Sequence, residues 1–141
     1  MEKPYVLGLD MGGTNSVLGV IDARGHVLAR TSIKTQAYPD IRDYVDALYV
    51  EAEKIMAPLG GAEMFRGIGA GAPNSNYYTG NIEYPANLPW SGITPFCDLM
   101  SARFGLPCHV TNDANAAALG EMTYGAARGM KNFIMITLGT G

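Results

Sequence analysis

Tyr5–Val6–Leu7–Gly8–Leu9–Asp10–Met11–Gly12–Gly13–Thr14–Asn15–Ser16–Val17–Leu18–Gly19–Val20–Ile21 sets two strand-like runs on either side of a glycine pair. Aliphatic and β-branched residues dominate both runs and glycine punctuates them, so the stretch reads as a tight β-hairpin. A turn without Cβ atoms lets backbone N–H groups approach an anion closely. The Thr14 hydroxyl adds a donor, and Asp10 adds a carboxylate at the mouth of the turn. A carboxylate beside a phosphate requires a cation between them, which points to magnesium with a nucleotide. Gly-Gly is also ordinary hairpin chemistry. The pattern is not a dinucleotide fingerprint, because a strand follows the glycines where a helix should begin. Nor is it a P-loop, since no Gly-Lys-Ser/Thr follows.

Outward from the hairpin, strands are expected near Tyr5–Asp10, Ser16–Asp22 and His26–Ile33, with Ala23–Arg24–Gly25 turning between the last two. Ile41, Tyr44, Val45, Leu48, Ala52, Ile55 and Met56 recur at helical spacing, so a helix is expected from about Asp40 to Ala57. Pro58 and Gly60–Gly61 end it. Phe65–Gly71 reads as a glycine-rich buried strand stopped at Pro73. Asn74–Pro89 reads as an irregular loop with a small hairpin around Thr79–Gly80–Asn81, and loops of that length tend to be functional. A second helix is expected over Pro95–Phe104, with Thr94 as N-cap, Pro95 as first helical residue and Gly105 as stop. Cys108–Thr111 is a short strand. A third helix is expected from Asn112–Asp113 to about Tyr124, then a strand over Asn132–Leu138 ending in Gly139–Thr140–Gly141.

This order implies an α/β fold with a mixed sheet: an antiparallel β-meander followed by parallel βαβ units, with flanking helices. Binding sites in open α/β sheets lie beyond the carboxyl ends of the strands. Asp10, Gly71, Asn112 and Gly139 all stand at such ends, so they are expected to converge on one edge.

The chain's 141 residues suffice for one modest domain with its own core. Hydrophobic content of 48 % against 16 % charged residues is globular rather than disordered. A net charge of −3 argues against general binding to nucleic acid or anionic membranes. No apolar run is long enough to span a bilayer and no signal peptide is evident. Cys97 and Cys108 lack metal-ligand spacing and read as reduced thiols, which fits a cytoplasmic protein. His26 and His109 read as strand residues rather than metal ligands. Trp90 reads as core or interface packing, with stacking on a ligand ring as the alternative. Tyr77, Tyr78 and Tyr84 either line a cleft or fill space beneath their loop. Arg128 reads as a helix cap.

Asn112–Asp113–Ala114–Asn115–Ala116–Ala117–Ala118–Leu119–Gly120–Glu121 is the second informative stretch. Asn or Asp at a strand-to-helix junction serves as an N-cap with no further role. A carboxylate held ionised by a helix dipole can also orient a substrate hydroxyl toward phosphorus, and phosphoryl transfer asks more of orientation than of basicity. Gly139–Thr140–Gly141 repeats the logic of the first turn, and two facing glycine turns could grip a triphosphate from both sides.

Asp10–Met11–Gly12–Gly13–Thr14, Gly71–Ala72–Pro73, Asn87–Leu88–Pro89, the Asn112–Glu121 block, Gly125–Ala126–Ala127–Arg128–Gly129 and Leu138–Gly139–Thr140–Gly141 stand in one order. The series resembles the ROK (repressor, open reading frame, kinase) family of sugar kinases and regulators, its glucokinase-like members in particular. The resemblance covers essentially the whole chain. It implies a ribonuclease H-like, actin-like ATPase lobe. It also implies a first phosphate loop at Asp10, Gly12, Gly13 and Thr14, with Asp10 near magnesium, and a second at Gly139, Thr140 and Gly141. Asp113 matches the family's catalytic base, facing the sugar 6-hydroxyl. Asn112 and Asn87 match positions that hydrogen-bond sugar hydroxyls, and the Gly71 backbone lies beside the sugar. Asn15 stands where many members carry lysine, and Asn74–Ser75–Asn76 departs from the common Gly-Pro-Val-Asp continuation at the sugar rim.

Family kinases have two lobes, and the resemblance divides this chain accordingly. Residues 1–130 are expected to be the N-terminal lobe, and 131–141 the first strand and second phosphate loop of a C-terminal lobe otherwise absent. The family's zinc cluster, further sugar ligands and adenosine pocket would lie past Gly141. Phe133–Leu138, apolar and without a following partner strand, is expected to be disordered, paired with a second copy or displaced. The expected activity is ATP-dependent phosphorylation of a hexose, foremost glucose, by a full-length homodimer, with the isolated 141 residues inactive. N-acetylglucosamine, N-acetylmannosamine, mannose and fructose remain alternative sugars, and polyphosphate an alternative donor. A sugar-responsive transcriptional regulator is the rival class. Such members carry a DNA-binding helical domain before the first phosphate loop, and only nine residues precede Asp10.

Overall fold

Side-chain alternation along the first strand decides which layer each residue joins. The structure, a computed structural model, describes residues 3–112. In chain order the elements are β1 (Tyr5–Met11), β2 (Asn15–Asp22), β3 (Val27–Lys34), α1 (Ile41–Met56), β4 (Phe65–Gly71), β5 (Ser75–Asn76), β6 (Asn81–Glu83), β7 (Ile93–Thr94), α2 (Phe96–Phe104) and β8 (Cys108–Thr111). β1, β2 and β3 form the expected antiparallel meander, while β4 joins β1 and β8 joins β4 in parallel. The five-stranded order is β3-β2-β1-β4-β8, a mixed sheet as the element order implied.

Leu7, Leu9 and Met11 of β1 enter one core with Leu18, Val20, Ile68, Ala70 and Val110 of the neighbouring strands. The apolar faces of α1 (Tyr44, Val45, Leu48, Ala52, Met56) and α2 (Phe96, Cys97, Met100, Phe104) complete that core. Successive strand residues face opposite ways, so Asp10, between Leu9 and Met11, lies on the sheet face turned from these two helices. Asp40 caps α1, its carboxylate accepting from the Arg42 N–H at 2.8 Å. A 3₁₀ turn over Ala57–Leu59 follows at Pro58, and Gly60 closes it at φ 107°.

Two expectations need correction. Thr94 does not cap α2: it is buried and paired with Ile82 in β7, and Pro95 holds the N-cap position without a side-chain bond. The segment 74–89 carries the expected small hairpin, β5 pairing with β6 around Gly80, but it is more regular than the loop expected around it, because β7 adds a third antiparallel strand. Asn74, left-handed at φ 55°, pins it by donating from its amide to the carbonyls of Glu83 and Tyr84, each at 3.1 Å. Strands of two or three residues are too short to carry a readable period.

β3 begins at Val27, one residue later than expected, because the His26 N–H is taken by the Asp22 carboxylate at 2.9 Å. Trp90 is core: its ring lies 4.5 Å from that of Tyr44 and its Nε1 donates to the Tyr38 carbonyl. Tyr77, Tyr78 and Tyr84 are exposed, so they do not fill space beneath their segment. Cys97 and Cys108 are not joined in a disulfide. Among the described residues no helix is long and apolar enough to cross a membrane. The expected third helix, the Asn132–Leu138 strand and Arg128 lie outside the described residues.

Candidate functional site

The β1–β2 turn is defined by where its carbonyl groups go. The Gly12 carbonyl accepts from Thr35 Oγ1 at 2.8 Å, the Gly13 carbonyl from Gln36 Nε2 at 2.7 Å and the Thr14 carbonyl from the Thr35 N–H at 2.9 Å. Three successive carbonyls are thus held by two residues of the short 3₁₀ connector Thr35–Ala37 that follows β3. In a trans peptide the C=O and the next N–H point in opposite directions, and no peptide among the described residues is cis. The N–H groups of Gly13, Thr14 and Asn15 therefore face away from the connector, as an anion cradle requires.

Glycine is needed here for space rather than for a left-handed backbone, since neither Gly12 nor Gly13 has positive φ. The Gly12 N–H donates to the Asn15 carbonyl at 2.9 Å, closing the turn. A Cβ on Gly12 would stand 2.8 Å from that same carbonyl oxygen, closer than real contacts allow. A Cβ on Gly13 would stand 3.3 Å from the Asn87 carbonyl oxygen.

A buried hydroxyl chain backs the connector. Tyr44 Oη lies 2.6 Å from Ser16 Oγ, and Ser16 Oγ lies 2.7 Å from Thr35 Oγ1. Each hydroxyl has one proton. Thr35 gives its proton to the Gly12 carbonyl, so Ser16 donates to Thr35 and Tyr44 donates to Ser16. Burial pushes the Tyr44 phenol well above its ordinary range, which keeps the donor protonated.

Asp10 pairs laterally with Gly71 at the carboxyl ends of β1 and β4, and Gly71 pairs with Thr111 at the end of β8. Asn112 follows directly, its Oδ1 accepting from Ser75 Oγ at 3.2 Å. Three of the four strand-end residues expected on one edge are therefore neighbours; the fourth, Gly139, lies outside the described residues. Partial burial raises the Asp10 carboxyl above its usual range. Among the described residues that carboxylate has no hydrogen-bonding or ionic partner, which fits a group completed by a cation. No cluster of three His, Cys, Asp or Glu side chains converges among the described residues, so Asp10 would hold such an ion with other oxygen donors.

Gly13 and Thr14 meet Asn87 across a cleft of about 510 Å³, lined also by Gln36, Ala86 and Leu88. The structure thus joins the first glycine turn to Asn87, a residue far from it in sequence. Asp113, Gly139, Thr140 and Gly141 lie outside the described residues. Sequence reasoning missed Ser16, Thr35, Gln36 and Tyr44 as parts of the site. A serine at the head of the aliphatic run Val17–Ile21 was the available signal for Ser16; nothing in the sequence marked Thr35 or Gln36.

The ROK family profile matches residues 6–141. A glucokinase of Streptomyces coelicolor is 38 % identical over 135 residues, covering 96 % of this chain and 41 % of its own length. A ROK hexokinase from Thermus thermophilus superposes with a TM-score of 0.64 at 32 % identity, over 83 % of this chain and 38 % of that one. A ROK family glucokinase from Streptomyces griseus, solved with glucose and AMPPNP, gives 0.62 at 33 % identity, over 89 % and 38 %. The chain thus spans about two fifths of the length of these relatives. Its mixed sheet and flanking helices are the actin-like ATPase fold of these sugar kinases. By sequence and by fold, the chain belongs to the ROK family.

Proposed function

We propose that this chain is the N-terminal lobe of a two-lobed, ATP-dependent hexose kinase that converts glucose to glucose 6-phosphate. Residues 1–130 form the lobe, and 131–141 open the C-terminal lobe with the second phosphate loop at Gly139, Thr140 and Gly141. The observation that carries the reading is the turn at Gly12–Thr14, whose carbonyls are all engaged on one side, which leaves the N–H groups of Gly13, Thr14 and Asn15 facing the other. Such a turn receives anionic oxygen without reorganising, the kind of electrostatic preorganisation that favours phosphoryl transfer. Gly13 and Thr14 also line a cleft with Asn87, a sugar-hydroxyl ligand in this reading, with Asn112 and the Gly71 backbone as further sugar contacts.

In the proposed reaction the sugar 6-hydroxyl oxygen forms a bond to the γ-phosphorus as the bond to the β-bridging oxygen breaks, releasing ADP. Asp113 orients that hydroxyl and takes its proton. Asp10 would hold Mg²⁺, which when bound neutralises charge on the phosphate oxygens. The N–H groups of Gly13, Thr14 and Asn15 fix the phosphate, and the hydroxyl chain behind Thr35 keeps the turn from relaxing. Cytoplasmic glycolytic metabolism is the setting this activity implies, and a homodimer the assembly; a structural zinc site would belong to the C-terminal lobe.

Asp113→Asn in the full-length protein tests the reading. Glucose phosphorylation followed by coupled assay should fall by about a thousand-fold, within the usual range for removing a general base. Glucose binding by calorimetry should persist. Near-normal turnover would remove Asp113 from its role, and absence of turnover in the parent against a panel of sugars with ATP would remove the kinase.

A further inference from the structure

We infer that Gln36 couples the sugar side of the cleft to the phosphate side, so that each ligand tightens the other through one side chain. The inference rests on the kinase reading above but goes beyond it. Gln36 Nε2 carries two protons. One goes to the Gly13 carbonyl at 2.7 Å and the other to the Asn87 carbonyl at 3.0 Å. No other side chain among the described residues bridges these two segments by hydrogen bonds to both. The segments also touch directly at Gly13, where the missing Cβ lets the Asn87 backbone approach.

The Gly13 carbonyl and the Thr14 N–H belong to one planar peptide. Whatever fixes the carbonyl fixes the donor on the opposite side. A sugar held by Asn87 restrains the segment around Ala86–Leu88. Through Gln36 that restraint reaches the Gly13–Thr14 peptide, so phosphate meets an N–H that is already ordered and loses less conformational entropy on binding. Linkage makes the effect reciprocal. Gln36 is exposed, and water competes for both bonds. The coupling therefore belongs at the low end of the usual range, about five-fold rather than a hundred-fold. Gln36 is a positioning residue in this account; it acts on the substrates through Gly13 and Asn87.

The experiment is titration of the full-length protein by calorimetry, with glucose and with Mg²⁺–AMPPNP, each alone and in the presence of the other. The parent should show a coupling factor of about five, equal in both orders of addition. Gln36→Met keeps the length and removes the donor, and should bring the factor close to one. A second measurement needs no variant: glucose alone should slow hydrogen exchange at the Thr14 amide of the parent. A Gln36→Met protein that retains the parental factor overturns the inference, as does a Thr14 amide indifferent to glucose. A parent that binds both ligands with a factor of one overturns it while sparing the kinase. A parent that binds no AMPPNP at all overturns the kinase reading, and the coupling with it.

Discussion

The meander contains two glycine turns, and they use their backbone groups in opposite ways. At Asp22–His26 the Asp22 carboxylate accepts from the N–H groups of Arg24 and His26, each at 2.9 Å, and Gly25 takes a left-handed φ of 86°. That turn satisfies the N–H groups of Asp22, Arg24, Gly25 and His26 from within itself. At Gly12–Thr14 the carbonyls are satisfied from outside, by Thr35 and Gln36; the Gly12 N–H closes the turn, and those of Gly13, Thr14 and Asn15 are left facing away. Asp10 stands before the Gly12–Thr14 turn as Asp22 stands before the other, yet its carboxylate takes no partner among the described residues. What distinguishes a binding turn from a connecting one is therefore which N–H groups its own fold leaves open, and glycine content says little about it.

Exchanging one glycine in each turn should separate the two most widely. Gly12→Ala drives a Cβ to 2.8 Å from the Asn15 carbonyl oxygen, a backbone atom that cannot step aside without opening the turn. In the full-length protein kcat/KM for ATP should fall by about a hundred-fold or more, the scale of losing a preorganised donor set. Gly25→Ala is strained by its positive φ and should cost about 1–2 kcal/mol of stability. Its activity should stay within about two-fold of the parent, a change too small to count as lost transition-state binding. Equal losses of activity in both variants would erase the distinction between the turns.

The hydroxyl chain supplies the next effect in size. Thr35→Val keeps the shape but leaves the Gly12 carbonyl without its donor and the Ser16 hydroxyl without its acceptor. Urea denaturation should show a loss of about 2–3 kcal/mol, the cost of buried polar groups left unsatisfied. Thr35→Ser restores both bonds and should recover most of it. If valine and serine were equally damaging, the methyl group rather than the hydroxyl would be what Thr35 contributes.

Much of this was legible in the sequence, for a physical reason. Long strands and helices repeat their pattern often enough to be read: Phe65–Gly71 and Cys108–Thr111 fall on their expected bounds, and α1 lies within one residue of its expected ends. Asp10, Gly71 and Asn112 were placed at one edge from strand ends alone. The β5–β6 hairpin was legible from its turn at Thr79–Gly80–Asn81, but β7 and the sheet it completes were not, because each strand is shorter than two periods. Thr94 misled because a threonine before proline satisfies the N-cap pattern and an extended strand end equally well. Gln36 was invisible for a different reason. Its partners are 23 and 51 residues away, and no local pattern encodes a bond made at that separation.

The smallest expected effect concerns the two aspartates. Partial burial raises the Asp10 carboxyl in the folded protein above its unfolded value near 3.8. A raised folded pKa means that the fold favours the protonated acid. The stability this contributes is full below the unfolded pKa and is lost as pH rises through the folded one. An asparagine side chain resembles the protonated acid, so Asp10→Asn should match the parent at low pH and melt slightly higher at neutral pH, without cation or nucleotide. Mg²⁺ with AMPPNP should then reverse the order by stabilising the parent alone, because only a carboxylate has charge to offer. Thermal denaturation at several pH values reads both halves. Asp22 gives the contrast: one oxygen of its side chain already accepts two N–H bonds, so Asp22→Ala, which removes that acceptor, should lower the melting temperature, and ligand should not change that difference. A parent protein more stable than its Asp10→Asn variant at neutral pH without ligand would mean that Asp10 is satisfied within the fold, as Asp22 is, and the two turns would differ less than their hydrogen bonds imply.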